Sequence, residues 1–198
     1  MALDTVNAIV SLAEAKAFLK ITGAGDDSII ESMINRASIW ANDYTGRLLL
    51  SRTNTEYYDG DGTGTLILRQ YPVTSITNIY DDVDRAFGSN TIIPAADIVL
   101  NQENGIVRLF NGSVAFTPGM LNVKAVYVAG YATPPESLKE AVLVCVGNFY
   151  RRQYADQKFG IVSESTGDRT TSYANEDFPA RAKSLLNPYR SERVFLGV

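Results

Sequence analysis

Two acidic clusters and two glycine-rich stretches are the places where this sequence could hold a ligand. Asp59-Gly60-Asp61-Gly62-Thr63-Gly64 sets two carboxylates two residues apart, the spacing with which a calcium loop begins. Such a loop needs a glutamate at its twelfth position, where Gln70 stands, so a glycine-rich hairpin turn is the favoured reading. Asp81, Asp82 and Asp84 form a second acidic run between a β-branched stretch and Gly88-Ser89-Asn90, and it reads as a solvated loop. Neither Gly23-Ala24-Gly25 nor Gly60 to Gly64 is followed by the Lys-Ser/Thr pair of a phosphate cradle, and neither lies between a parallel strand and a helix. No acid pair stands beside a cluster of aromatic residues of the kind used in glycoside hydrolysis.

The chain has no histidine, which removes the commonest general base near neutral pH and the commonest metal ligand. A triad of the Ser/His/Asp or Cys/His type is therefore excluded. The single cysteine, Cys145, has apolar neighbours and reads as a core residue. No catalytic residue, cofactor site or metal site is assigned, and the chain is not expected to be an enzyme. A net charge of −4 gives no basic footprint for gripping a phosphate backbone. No apolar run approaches the roughly 20 residues that span a bilayer, and Met1 to Ile9 has neither a basic start nor a long apolar stretch. Synthesis in the cytosol, with no membrane partner, is the expectation.

The elements that must carry these residues fall into three blocks. In the first, Ser11 and Glu14 form a capping box for a helix over 12–20. Asp26 or Asp27 caps a second helix, on which Ile30, Ile34, Ala37, Ala41 and Tyr44 recur until Gly46, with Ile29, Met33 and Trp40 widening the face. The second block reads as five to seven antiparallel strands. Strand ends flank the turn at 59–64, a β-branched stretch covers 73–80, and Asn104-Gly105 predicts a hairpin between Ile98 and Leu109 in which both turn residues tolerate positive φ. Leu121, Val123, Ala125 and Tyr127 alternate with Asn122 and Lys124 in a last strand that has one half-wet face.

Pro134-Pro135 ends the strands and opens the third block, with a long helix over 136–157. Leu138, Val142, Cys145 and Phe149 form its stripe, while Val144 and Val146 make its middle apolar nearly all round. Trp40, Val142, Val144, Val146 and Phe149 are the candidates for packing between subunits. Residues 158–177 are polar, without sustained periodicity, and are expected to lack regular structure; Phe178-Pro179 opens a short helix that Pro188 ends. Tyr173, Phe178 and Tyr189, together with Arg169, Arg181, Arg190 and Arg193, give this tail aromatic anchors and cations suited to an acidic partner surface. As a docking arm, it is expected to be removable after Gln157 without unfolding the rest.

The fold class expected is α+β: a small α-helical bundle core (1–50 plus 132–157), an inserted antiparallel β subdomain (51–131) and an extended C-terminal arm (158–198). Four pieces of the sequence, in this order, carry a resemblance that covers nearly the whole chain. They are Leu12 to Ile21, Asp27 through Asp43-Tyr44-Thr45-Gly46-Arg47, Gly130 through Pro134-Pro135 to Ala141, and Leu186-Asn187-Pro188-Tyr189-Arg190. Together they resemble the head-tail connector (adaptor) proteins of tailed double-stranded DNA phages.

That resemblance implies a structural virion protein, formed in the host cytoplasm and built into the head-tail interface. It would form a homo-oligomeric ring, a dodecamer, below the portal protein, with the arm docking on the portal and Tyr189 and Arg190 as its main anchors. The ring would extend the DNA channel and receive a stopper or tail-completion protein, while genomic DNA passes through without specific binding. An acidic chain suits this, because a channel that repels DNA lets it slide. Another virion ring or tail-completion component is the alternative within structural proteins, and a carbohydrate- or calcium-binding β module is the alternative outside them. The second fits less well, since the one tryptophan, Trp40, falls on a helix.

Overall fold

The computed structural model describes residues 2–154, 163–166, 169–172 and 178–191. The chain forms two compact units, Met1–Gly46 with Pro134–Val198, and Arg47–Thr133. In the first, α1 (Leu12–Leu19) starts at the expected capping box: Ser11 Oγ accepts from the Glu14 amide at 3.2 Å, and Glu14 Oε2 accepts from the Ser11 amide at 2.8 Å. Those bonds from Ser11, then Lys139 alongside, hold the Glu14 carboxyl below its usual range. α2 (Asp27–Thr45) buries Ile30, Met33, Ile34, Ala37 and Ala41 as its pattern predicts. Asp26 occupies the N-cap position but makes no side-chain cap; its carboxyl accepts instead from Tyr150 Oη at 2.8 Å. A second, polar face of α2 ties down the chain's start. Asn35 bonds the Asp4 amide and the Ala2 carbonyl, and Ser38 Oγ accepts from the Ile9 amide.

α3 (Glu136–Tyr154) packs against α2 and against α4 (Ala180–Leu186). Its buried side chains are Leu138, Ala141, Val142, Cys145, Val146 and Phe149. Over 178–191 the C-terminal segment is packed against the helices rather than extended. Ala182 and Leu186 are fully buried, and the Phe178 ring lies parallel to Trp40 at 3.9 Å and edge-on to Phe149 at 5.6 Å. A short run of apolar residues after a proline reads in sequence as a tail, yet these residues close the helical core. Nor is the segment before it devoid of regular structure: β7 (Ser163–Thr166) pairs antiparallel with β8 (Arg169–Ser172). Tyr173 and Arg193 lie outside the described residues.

The second unit holds two three-stranded antiparallel sheets around one core. In one, β6 (Gly119–Ala129) lies between β1 (Arg52–Gly60) and β3 (Val73–Asp81); in the other, β5 (Ile106–Leu109) lies between β2 (Thr65–Ile67) and β4 (Ile98–Asn101). Leu66, Leu68 and Val107 meet Val73, Ile79, Val123, Ala125 and Tyr127 between the sheets. The strand expected just ahead of the turn at 59–64 begins already at Arg52, and its first half, Arg52 to Glu56, has no apolar face to betray a strand. The β4–β5 hairpin forms at Asn104-Gly105, but only Gly105 has positive φ.

In β6 the alternation slips. Leu121 takes a left-handed conformation (φ 50°) and faces solvent, while Asn122 is buried. Asn122 Oδ1 accepts from the Gly60 amide at 2.9 Å, and its Nδ2 donates to the Thr117 carbonyl at 2.7 Å, which satisfies a polar group that would otherwise be costly inside.

Two outcomes follow from the helical unit. Phe178→Ala removes a ring sandwiched by Trp40 and Phe149 and is expected to lower unfolding free energy by about 3 kcal/mol in chemical denaturation; an unchanged midpoint would mean the segment is dispensable. Glu14 has a depressed folded-state pKa, so its contribution is present above the ordinary value of 4.5 and is lost as pH falls through the folded-state value. Glu14→Gln should therefore flatten the fall in melting temperature below that pH, measured by calorimetry.

Candidate assembly surfaces

The carboxylates that could have suggested a metal loop serve the backbone. Asp59 Oδ1 accepts from the Leu121 amide at 2.7 Å, and Asp61 Oδ1 accepts from the amide and hydroxyl of Thr63. The Thr63 hydroxyl, followed by its amide, keeps the Asp61 carboxyl below its usual range. The run at 81–84 is not a solvated loop throughout, since Asp82 is buried. Its two oxygens accept from the amides of Asp84 at 3.0 Å and Phe87 at 2.6 Å, while Asp81 accepts from the amide and hydroxyl of Thr117. Asp61 and Asp82 close turns by bonding nearby amides, as aspartate does in Asx turns, while Asp59 and Asp81 fasten segments remote in sequence.

Two of these carboxylates support unusual backbone. Arg85 (φ 58°), Phe87 (φ 51°) and Leu121 (φ 50°) are all left-handed, a conformation costing each non-glycine residue on the order of 1 kcal/mol. Asp82 fastens Phe87 and Asp59 fastens Leu121. The three residues line one hollow of about 460 Å³ with Glu56, Tyr57 and Arg69. Beside it, Lys124 pairs across the strands with both Tyr57 and Tyr80, and its Nζ lies 5.0 Å from the Tyr80 ring and 5.4 Å from the Phe87 ring. Sequence reasoning missed this surface, because its members come from four separate stretches and each looks like a loop residue.

Glu56, at the wall of the hollow, belongs to a partly buried polar cluster. Tyr127 Oη donates to Glu56 Oε2 at 2.6 Å and accepts from the Gln70 amide at 3.1 Å; the Tyr58 hydroxyl donates to the same Glu56 oxygen and accepts from the Arg69 amide. Burial pushes both tyrosine hydroxyls upward, so each stays a proton donor to Glu56. The cluster is satisfied within itself and offers no nucleophile. One signal could have revealed it: Tyr127 falls on the inward face of an alternating strand, where its hydroxyl must find a partner.

The side chains proposed from sequence for docking and packing have these positions. Phe178 is stacked in the helical core, Arg181 pairs with Glu140, Tyr189 Oη is 2.6 Å from Ser137 Oγ, and the Arg190 guanidinium lies 5.4 Å from the Tyr44 ring. Arg169 lies on β8. Val142, Val146 and Phe149 are buried inside the helical unit, whereas Trp40 and Val144 are half-buried. Burial also pushes the Cys145 thiol up to about 12, which leaves it neutral and inert.

A family model described as head completion protein matches residues 8–192. Comparison with curated proteins gave no significant match. Among solved structures, the chain is similar to a component of the neck of an empty gene transfer agent (GTA) particle computed with C6 symmetry, at 17% identity and a TM-score of 0.66, covering 100% of this chain and 97% of that one. A chain from the virion of a native gene transfer agent particle matches at 19% identity and a TM-score of 0.61, covering 100% and 96%. One from the neck of a native particle computed with C12 symmetry matches at 17% and 0.60, covering 100% and 97%. At these identities the likeness establishes the α+β fold across the full length.

Tyr127→Phe should cost about 1–3 kcal/mol in denaturant unfolding, because it strips Glu56 of one donor and the Gln70 amide of its acceptor. A loss under about 0.5 kcal/mol, the range of an ordinary surface change, would show that the cluster is not structural.

Proposed function

This chain belongs to the head completion protein family, and on that footing we propose that copies of it form a ring beneath the portal protein at the head-tail junction of a tailed phage or phage-like particle. Its role is structural. The observation that carries this reading is the family match over 8–192, joined to a fold shared end to end with components of a particle neck. The twelve-fold symmetry of the native neck supports twelve copies per ring. On one side the ring meets the portal, and on the other it receives a stopper or tail-completion protein. A net charge of −4 suits a channel wall past which DNA slides, since like charge denies the phosphate backbone a resting place.

Asp59, Asp61, Asp81 and Asp82 are committed to backbone amides and the one thiol is buried, so chemistry on a substrate finds no footing in those groups. Association, by contrast, needs only complementary surface, and a ring follows when one patch of a copy meets a different patch of the next.

Deleting the gene from the phage or prophage that carries it tests the proposal. DNA-filled heads and unattached tails should accumulate, and the gene supplied in trans should restore joined particles seen by negative-stain microscopy. Tailed, infectious particles from the deletion strain would overturn it.

A further inference from the structure

We propose that the hollow on the outer face of the β1–β6–β3 sheet receives the outer face of β4–β5 from a second copy of this chain. The inference rests on the ring reading above and names the contact through which neighbouring copies join. The hollow combines apolar surface with positive charge. Tyr57 and Leu121 are 40% and 46% exposed, Phe87 lies 5.5 Å from Tyr57, and the cations Arg85 and Lys124 make no ion pair among the described residues. Backbone that a free loop would relax is held left-handed at Arg85, Phe87 and Leu121, and such pre-ordered surface lowers the entropic cost of docking.

Glu56, the carboxylate that lines the hollow, already accepts from the Tyr58 and Tyr127 hydroxyls, so the occupant must supply an anion for Arg85 and Lys124 and apolar area to cover Tyr57, Phe87 and Leu121. The hollow cannot meet a copy of itself, because the cations of both copies would then face one another. The other sheet presents what is missing. The outer faces of the two sheets point away from their shared core, and on β2–β5–β4 that face exposes Ile67 (48%) and Val99 (52%), with the carboxylate of Glu103 in the adjoining turn. Arg108 lies on the same face, which is therefore not acidic as a whole, and the carboxylate open to Arg85 is the one at its turn end, Glu103. Two unlike faces on opposite sides of one unit make a heterologous contact, the kind that closes into a ring. Duplex DNA fits less well: Glu56 lines the hollow, and Arg69, Arg85 and Lys124 are too few to track a phosphate backbone.

The test uses the full chain and three variants, Arg85→Glu, Glu103→Lys and the two combined, each checked by circular dichroism for an unchanged melt. Arg85 and Glu103 are both exposed, so neither change touches the core. Sedimentation velocity over a concentration series, with negative-stain imaging, measures ring formation. Each single reversal should weaken association by about tenfold or more, and the combined swap should restore most of it. If the wild-type chain forms rings and Arg85→Glu forms them equally well, the hollow is not the contact, while the ring reading stands. A wild-type chain that stays monomeric at every concentration, and also when purified portal is added, overturns the ring reading and this contact together. A fluorescence-polarisation assay with a short labelled duplex covers the remaining case: binding abolished by Arg85→Glu while rings persist would make the hollow a DNA surface and overturn the proposal.

Discussion

The antiparallel pairing of β1 with β6 is the constraint on which the rest of the chain depends. It sets Arg52 opposite Ala129, and just beyond, the Ser51 amide donates to the Tyr131 carbonyl at 3.1 Å and the Tyr131 amide to the Leu49 carbonyl at 2.8 Å. The two ends of the inserted unit are thereby held side by side. A chain that leaves the helical unit after Gly46 can return to it at Pro134, so that α2 and α3, remote in sequence, pack together. Gly130 makes the closure possible. Its φ is +103°, and a Cβ there would stand 2.5 Å from the Leu50 carbonyl oxygen, closer than any side chain tolerates.

On the outer side of the same pairing, Tyr57 of β1 and Tyr80 of β3 flank Lys124 of β6, so the strands that close the insertion also build its aromatic and cationic face. The aspartates at 59 and 82 complete it by fixing the left-handed residues around the hollow. Closure, display and pre-ordering thus come from one sheet. An acidic chain with a localised basic patch is well made for directional assembly, because charge excludes the patch-to-patch arrangement and favours contact between unlike faces.

Much of this was legible in the sequence where local chemistry decides the outcome. Ser11 and Glu14 cap α1 as read, the apolar stripe of α2 is buried, and the α+β class, with strands inserted between helices, follows from the switch in hydrophobic period at Arg47 and Pro134. The resemblance to connector proteins agrees with the family match. What escaped depends on partners far along the chain. Arg52 to Glu56 has no strand pattern and is recruited by β6; Asp82 looks solvated until Phe87 turns back onto it. Phe178 and Leu186 resemble parts of a loose tail, and only the contact of the Phe178 ring with Trp40 and Phe149 and the full burial of Leu186 show them to be core. The hollow is assembled from residues whose sequence separation leaves no periodic trace.

A cryo-electron microscopy reconstruction of the neck of the particle that carries this gene is the most direct measurement of the central claim. The account predicts a twelve-fold ring directly below the portal whose density accepts the helical unit and the two-sheet unit of this chain, with the two-sheet units of adjacent copies in contact. Density at that level that does not fit this fold, or this chain located instead at the distal end of the tail, would contradict it.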